Sequence, residues 1–119
     1  MNRRVVITGY GVISPVGIGI DDFWNSLASG KSGVTRVSSF DASQFSSQIC
    51  AEVKNFEPEK YIDKKKIRRM DRFTQLAFAA AKMAIEDAKL DMGREDPFRV
   101  GVIVGSGIGG LSTVAQEHR

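Results

Sequence analysis

Apolar positions along the chain fall into two patterns, one helical and one extended. The helical one lies between 73 and 89, where Phe73, Leu76, Ala77, Ala80, Ala81, Ala84, Ile85 and Ala88 recur at i, i+3 and i+4. Phe78, Ala79 and Met83 carry apolar surface round the back, leaving a narrow polar seam of Gln75, Lys82, Glu86 and Lys89. A helix that is apolar nearly all round is buried on most sides, and its alanines admit close backbone neighbours. The spacing therefore predicts a helix over 73–89 that packs against more protein than these residues supply.

The extended pattern is a pair of short β-branched runs, each broken by glycine. Val100, Val102, Ile103 and Val104 run into Gly105-Ser106-Gly107-Ile108-Gly109-Gly110, and Val5-Val6-Ile7-Thr8 runs into Gly9-Tyr10-Gly11. Both read as buried strands. Strand, helix, strand outlines a parallel sheet packed by helices, an α/β class. Between the first strand and the helix, Ser14-Pro15-Val16-Gly17 reads as a turn. Asp21 or Asp22 is the expected cap of a short helix with Phe23, Trp24 and Leu27 on its apolar face and Gly30 as its stop. Residues 30–45 are polar without a sustained period and are expected as a surface excursion. Gln48–Lys54 alternates, with Ile49, Ala51 and Val53 on the inward side of a half-buried strand. Glu57-Pro58 opens short helical pieces that carry Lys64-Lys65-Lys66-Ile67-Arg68-Arg69.

A length of 119 residues, 42% hydrophobic and 26% charged, is that of a single soluble domain, so disordered and fibrous classes are excluded. No apolar run approaches the roughly 20 residues that span a bilayer. The amino terminus shows no signal-like region, and one cysteine makes no internal disulfide, so a reducing, cytoplasmic setting is expected. A net charge of +3 names no partner until its distribution is considered.

Gly105-Ser106-Gly107-Ile108-Gly109-Gly110 satisfies the letter of the dinucleotide-binding glycine pattern. It follows the last strand rather than the first, however, and the acidic residue that would confirm it, about 20 positions on, falls past Arg119. No Gly-Lys-Ser/Thr marks a phosphate loop. Cys50, the single thiol, sits in a strand with no base beside it in sequence, which reads as inert. One Cys and one His build no structural metal site. The basic run is more informative. On a helix, Lys64, Lys65, Arg68 and Arg69 share a face while Ile67 turns toward a core, a concentrated positive patch suited to an acidic partner. No aromatic interleaving or groove-reading pattern accompanies it, so an acidic protein fits at least as well as nucleic acid.

Together these residues resemble the amino-terminal part of the β-ketoacyl-acyl carrier protein synthases of the chain-elongating, synthase II type. The landmarks occur in order: Arg4-Val5-Val6-Ile7-Thr8-Gly9 with Ser14-Pro15-Val16-Gly17, Gly30-Lys31-Ser32-Gly33, Phe40-Asp41, Glu52-Val53-Lys54, Arg69-Met70-Asp71-Arg72-Phe73, and the 105–110 glycine turn. Ile108 favours synthase II over synthase I, which tends to have glycine in that turn.

The resemblance implies a thiolase-like αβαβα fold in which residues 1–119 form an incomplete first half-domain, and a homodimer in the full-length enzyme. It implies acyl transfer from carrier protein onto a cysteine, then decarboxylation of malonyl-carrier protein and condensation, with no metal or nicotinamide in the chemistry. The family's nucleophile, histidines and lysine match nothing here, so no catalytic residue is expected in this chain, and on its own it is expected to be inactive. Two roles carry over by position: Ile108 as a lining residue of the acyl pocket, and Lys65, Arg68 and Arg69 as the patch that meets acyl- or malonyl-loaded carrier protein. A free-standing carrier-protein-binding or dimerisation module and a dinucleotide-binding domain remain the alternatives. No nucleic-acid or membrane partner is expected.

Overall fold

A computed structural model of the protein describes residues 3–118. The chain divides into two units, one of Val12–Phe56 and one of the residues up to Gly11 together with those from Glu57 onward.

The Val12–Phe56 unit is built on two antiparallel hairpins and one helix. Strand β1 (Ile13–Ser14) pairs with β2 (Gly17–Ile18) across the Pro15-Val16 turn. The Ser14 hydroxyl accepts the N–H groups of Val16 and Gly17 and donates to the Gly17 carbonyl, which stabilises the expected turn locally. Helix α1 (Ile20–Ala28) follows. Its cap is Gly19 rather than Asp21 or Asp22; these two lie inside the first turn, where their charge still favours the helix dipole. The stop at Gly30 is as expected. Gly30 takes φ +68°, its N–H bonds to the Leu27 carbonyl and that of Lys31 to the Ser26 carbonyl, a Schellman ending. Ser26 is buried, and its hydroxyl donates to the Val16 carbonyl at 2.6 Å, which ties the helix to the first hairpin.

The second hairpin joins β3 (Val34–Arg36) to β4 (Ile49–Ala51), with Thr35 opposite Cys50. Residues 30–45 thus contain a strand where a surface excursion was expected; the β-branched pair Val34-Thr35 carried that signal. The alternation in β4 holds, but its sense is reversed. Cys50 is half-buried while Ile49 and Ala51 are exposed, because β3 lies beside the strand and nothing in the unit covers its other face.

The other unit is organised by α3 (Arg72–Asp87), preceded by a 3-10 turn at Pro58–Lys60 and α2 (Lys64–Ile67), and followed by a 3-10 turn at Pro97–Arg99 and α4 (Leu111–Glu117). Ile62 and Ala79 are its buried apolar residues. The backbone of residues 9–11 lies directly on the alanine face of α3. A Cβ on Gly9 would stand 2.6 Å from the Ala84 carbonyl oxygen, and one on Gly11 would be 2.7 Å from Met83 Cβ and would overlap the Ala80 carbonyl. The Tyr10 N–H donates to Asp87 Oδ2 at 3.1 Å, closing the same contact. Ala80, Ala84 and Ala88 are spaced four apart, and their small side chains permit this approach.

The two runs expected as strands of a parallel sheet, at Val5–Thr8 and Val100–Val104, are in no ladder among the described residues. Both ladders that do form are two-stranded and antiparallel. Side-chain composition sets the propensity of a strand, whereas its existence as a strand needs partner backbones. The runs are open instead: Val5 is 92% exposed and Ile103 99%. The helix shows the same deficit. Of the apolar surface assigned to α3, Ala79 alone is fully covered, while Phe78 and Ile85 stay exposed.

The chain's accessible area is 10386 Å² at 13.0 kDa, whereas a folded monomer of that mass exposes about 6,300 Å². Large apolar side chains stand open, Val5, Ile7, Phe98, Val102 and Ile103 among them, so the isolated 119-residue chain is expected to self-associate and to bind a hydrophobic dye. Light scattering after gel filtration checks this. A clean monomer with a sharp two-state melt and no dye binding would contradict it.

Candidate functional site

The basic segment is held by local capping. The Asp63 carboxylate accepts the Lys65 N–H at 2.8 Å and so starts α2. As expected, Ile67 is half-buried while Lys64, Lys65, Lys66, Arg68 and Arg69 are exposed. The helix is shorter than a shared face over 64–69 requires. It ends at Ile67, and the N–H groups of Arg69 and Met70 bond three residues back, to Lys66 and Ile67, in a tighter turn. Crowded like charges in the segment disfavour a longer helix. Lys64 pairs with Glu59 at 3.4 Å, but Lys65, Arg68 and Arg69 make no ion pair among the described residues. Their positive charge is therefore not offset by an ion pair among the described residues.

Arg68 and Arg69 also edge a cleft of about 560 Å³, which continues through Asp71, Phe73, Gly109 and Thr113. Asp71 is the N-cap residue of α3, yet its carboxylate makes no bond to that helix. It accepts instead from the Thr113 hydroxyl of α4, 42 residues away in sequence. A capping Asp is worth about 0.5–2 kcal/mol to a helix, so this side chain stabilises a distant contact rather than its own first turn. Gln75, one turn further along α3, donates to the Met70 carbonyl at 2.8 Å and to that of Ile67 at 3.4 Å, which fixes the end of the basic segment to α3. The 105–110 glycine turn thus ends against the first turn of α3. Ile108 itself is 78% exposed and does not line the cleft, and neither does Lys65. Of the four residues singled out by sequence, the fold brings Arg68 and Arg69 to one cleft and leaves Lys65 and Ile108 outside it.

Cys50 lies in the other unit. Burial and the nearby Glu52 carboxylate push its thiol above the ordinary range, the opposite of what a nucleophile needs. Glu52 is held the other way. The hydroxyl of Ser38 and the N–H groups of Ser38 and Ser39 all donate to it and lower its pKa from 4.5 to about 2. With the folded value depressed, the stabilisation is complete above the unfolded pKa of 4.5 and is lost as pH falls through about 2. Carboxyl-carbon NMR is expected to show Glu52 titrating near the lower value; a midpoint at the ordinary one would mean that the Ser38–Ser39 cradle is open. Among the described residues, no group of three or more His, Cys, Asp or Glu side chains is placed to hold a metal ion. No helix there is long and apolar enough to cross a membrane.

Residues 2–119 match the family described as the β-ketoacyl synthase, N-terminal domain. The chain belongs to this β-ketoacyl synthase family. It is 47% identical over 116 residues to a 3-oxoacyl-[acyl-carrier-protein] synthase 2 of Coxiella burnetii, covering 98% of this chain and 28% of that protein. The synthase of the same name from Staphylococcus aureus strain COL is 44% identical over 118 residues, 99% of this chain and 28% of its own length. Among solved structures, the ishigamide ketosynthase/chain length factor superposes with a TM-score of 0.71 at 40% identity, over 78% of this chain and 23% of that one. The chain thus spans a little over a quarter of the length of these curated relatives.

The β-ketoacyl synthase chain is accordingly the amino-terminal portion of a thiolase-like α/β fold. Its landmark stretches hold definite structural positions: Ser14–Gly17 turns the first hairpin, Gly30 ends α1, Glu52 is clasped by Ser38 and Ser39, and Asp71 meets Thr113. In the sequence Asp71 stands only within a landmark and Gln75 only on the polar seam of the helix, and Thr113 carries no signal. An Asp just before an apolar helix signals only a cap. Nothing local in the sequence points from Asp71 to Thr113.

Proposed function

We propose that this chain is the opening part of a β-ketoacyl-acyl carrier protein synthase that elongates acyl chains by decarboxylative condensation. The observation that carries the reading is the alignment of 98% of the chain, at 47% identity, with a 3-oxoacyl-[acyl-carrier-protein] synthase 2. In the whole enzyme an acyl group passes from carrier-protein thioester to a cysteine thiolate, releasing the carrier thiol. Malonyl-carrier protein then loses carbon dioxide. The resulting carbanion attacks the acyl-enzyme thioester, giving a β-ketoacyl-carrier protein two carbons longer and freeing the cysteine. Backbone donors hold the thioester oxygen during both steps.

Residues 1–119 serve this reaction as an incomplete synthase domain without catalytic residues; Cys50, with its raised pKa, has no nucleophilic role. Lys65, Arg68 and Arg69 form the docking patch for acidic carrier protein, supported by their exposure and by the lack of ion pairs at these side chains among the described residues. Ile108 lines the acyl pocket of the complete protein, consistent with an apolar side chain left open on a glycine turn. The exposed apolar faces suit the rest of a synthase subunit and its pairing as a homodimer in the cytoplasm. No cofactor enters the chemistry.

The test is elongation by the complete protein that carries this chain, supplied with acyl- and malonyl-carrier protein. Mass spectrometry is expected to detect the two-carbon-longer β-ketoacyl product with the complete protein and none with residues 1–119 alone. A complete protein that condenses nothing would overturn the reading.

A further inference from the structure

The first turn of α3 holds two things at once. On one side Gln75 fastens the carbonyls of Ile67 and Met70, and with them the end of the basic segment. On the other side Asp71 and Phe73 meet the close of the glycine turn. Asp71 Oδ1 accepts the Thr113 hydroxyl, and Oδ2 occupies the space where a Cβ on Gly110 would stand. Gly109, in the left-handed region at φ +70°, lies so that a Cβ there would sit 3.8 Å from the Phe73 ring. Both carboxylate oxygens therefore face the junction immediately after Ile108, and neither caps α3.

A helix that forgoes an available cap breaks a local rule, and such breaks collect at sites where position matters more than stability. We propose that Asp71 is a positioning residue which, through Thr113 and the space kept open at Gly110, sets the place of Ile108 relative to the basic segment. The inference rests on the synthase reading given above. It adds that carrier-protein docking and the acyl-pocket residue are registered to each other by one turn of one helix. A charged acceptor makes this tie stronger than a neutral hydrogen bond. Glycine at 110 leaves room for the Asp71 carboxylate, while its φ of −87° is open to any residue.

The test uses the complete synthase with Thr113→Val, Thr113→Ser, and Asp71→Ala alone and combined with Thr113→Val. Loss of a hydrogen bond to a charged group is expected to lower kcat for acyl transfer about tenfold in Thr113→Val, more for long acyl chains than for short ones. KM for the carrier protein is unchanged, because Lys65, Arg68 and Arg69 are intact. Thr113→Ser restores the rate, and the double variant is no slower than Asp71→Ala alone.

A second readout needs no activity. Amide exchange at Val114, whose N–H bonds to the Gly110 carbonyl, is expected to quicken about tenfold in Thr113→Val and to stay at the wild-type rate in Thr113→Ser. Equal losses for all chain lengths, multiplicative effects of the two substitutions, or unchanged exchange would each overturn the proposal. If the unsubstituted protein transfers no acyl group, the synthase reading fails, while exchange at Val114 still decides whether Asp71 holds the turn.

Discussion

Replacing Gly11 by alanine is expected to lower the stability of the complete protein by about 3 kcal/mol, the upper end for overpacking. The added methyl group meets the Ala80 carbonyl oxygen, and it also lies 2.7 Å from Met83 Cβ and 2.9 Å from the Ala84 nitrogen. These are backbone or near-backbone atoms of a 16-residue helix, so no rotamer change relieves the overlap. Either the 9–11 segment lifts from α3, breaking the Tyr10 N–H bond to Asp87, or the helix shifts. Truncating Met83 to alanine leaves its Cβ in place, so the double variant is expected to be no more stable. Gly93→Ala is the control, because the nearest atom there is the end of the Asp91 side chain at 3.2 Å. Urea unfolding of the three variants measures the difference. A Gly11→Ala protein as stable as Gly93→Ala would show that the 9–11 segment does not lie on α3.

That contact also marks how far the sequence could be read. The alanine spacing of the 73–89 stretch announced a helix and a close neighbour, and the structure supplies both, the neighbour being Gly9–Gly11. Helix periodicity is local and survives without its surroundings. Strands are different: Val5–Thr8 and Val100–Val104 have strand composition but no ladder among the described residues, because pairing is decided by backbones distant in sequence. Strand β4 was legible from the alternation of Gln48–Lys54, but its partner β3 was missed, because all three of its residues are exposed and no apolar alternation marks them. In the candidate site the cations were legible as a run. The Asp71–Thr113 tie was not, since its first partner reads as an ordinary helix cap and its second as an ordinary helical threonine.

Charge reversal of the patch is the complementary test at the surface. In the complete protein, Arg68→Glu with Arg69→Glu is expected to raise KM for carrier protein about tenfold to a hundredfold, chiefly through slower association. Both side chains are exposed and make no ion pair among the described residues, so the reversal disturbs little inside the chain. Toward an acidic partner docked at this patch, it replaces two attractions with two repulsions. Screening sets the salt dependence. The Debye length shortens from about 10 Å at 0.1 M to about 3 Å at 1 M, so the gap between unsubstituted and reversed proteins is expected to narrow as salt rises. Arg→Lys at both positions keeps the charge but loses the bidentate fork, and is expected to lie between the two. Lys65→Glu should act in the same direction, although Lys65 stands outside the cleft that Arg68 and Arg69 edge. Carrier-protein titrations at two salt concentrations separate the cases. If reversal leaves KM unchanged at low salt, carrier protein docks elsewhere and the patch is only a solvated face. If KM rises but kcat falls as well, the arginines also help to shape the cleft that they line together with Asp71, and docking and positioning meet there.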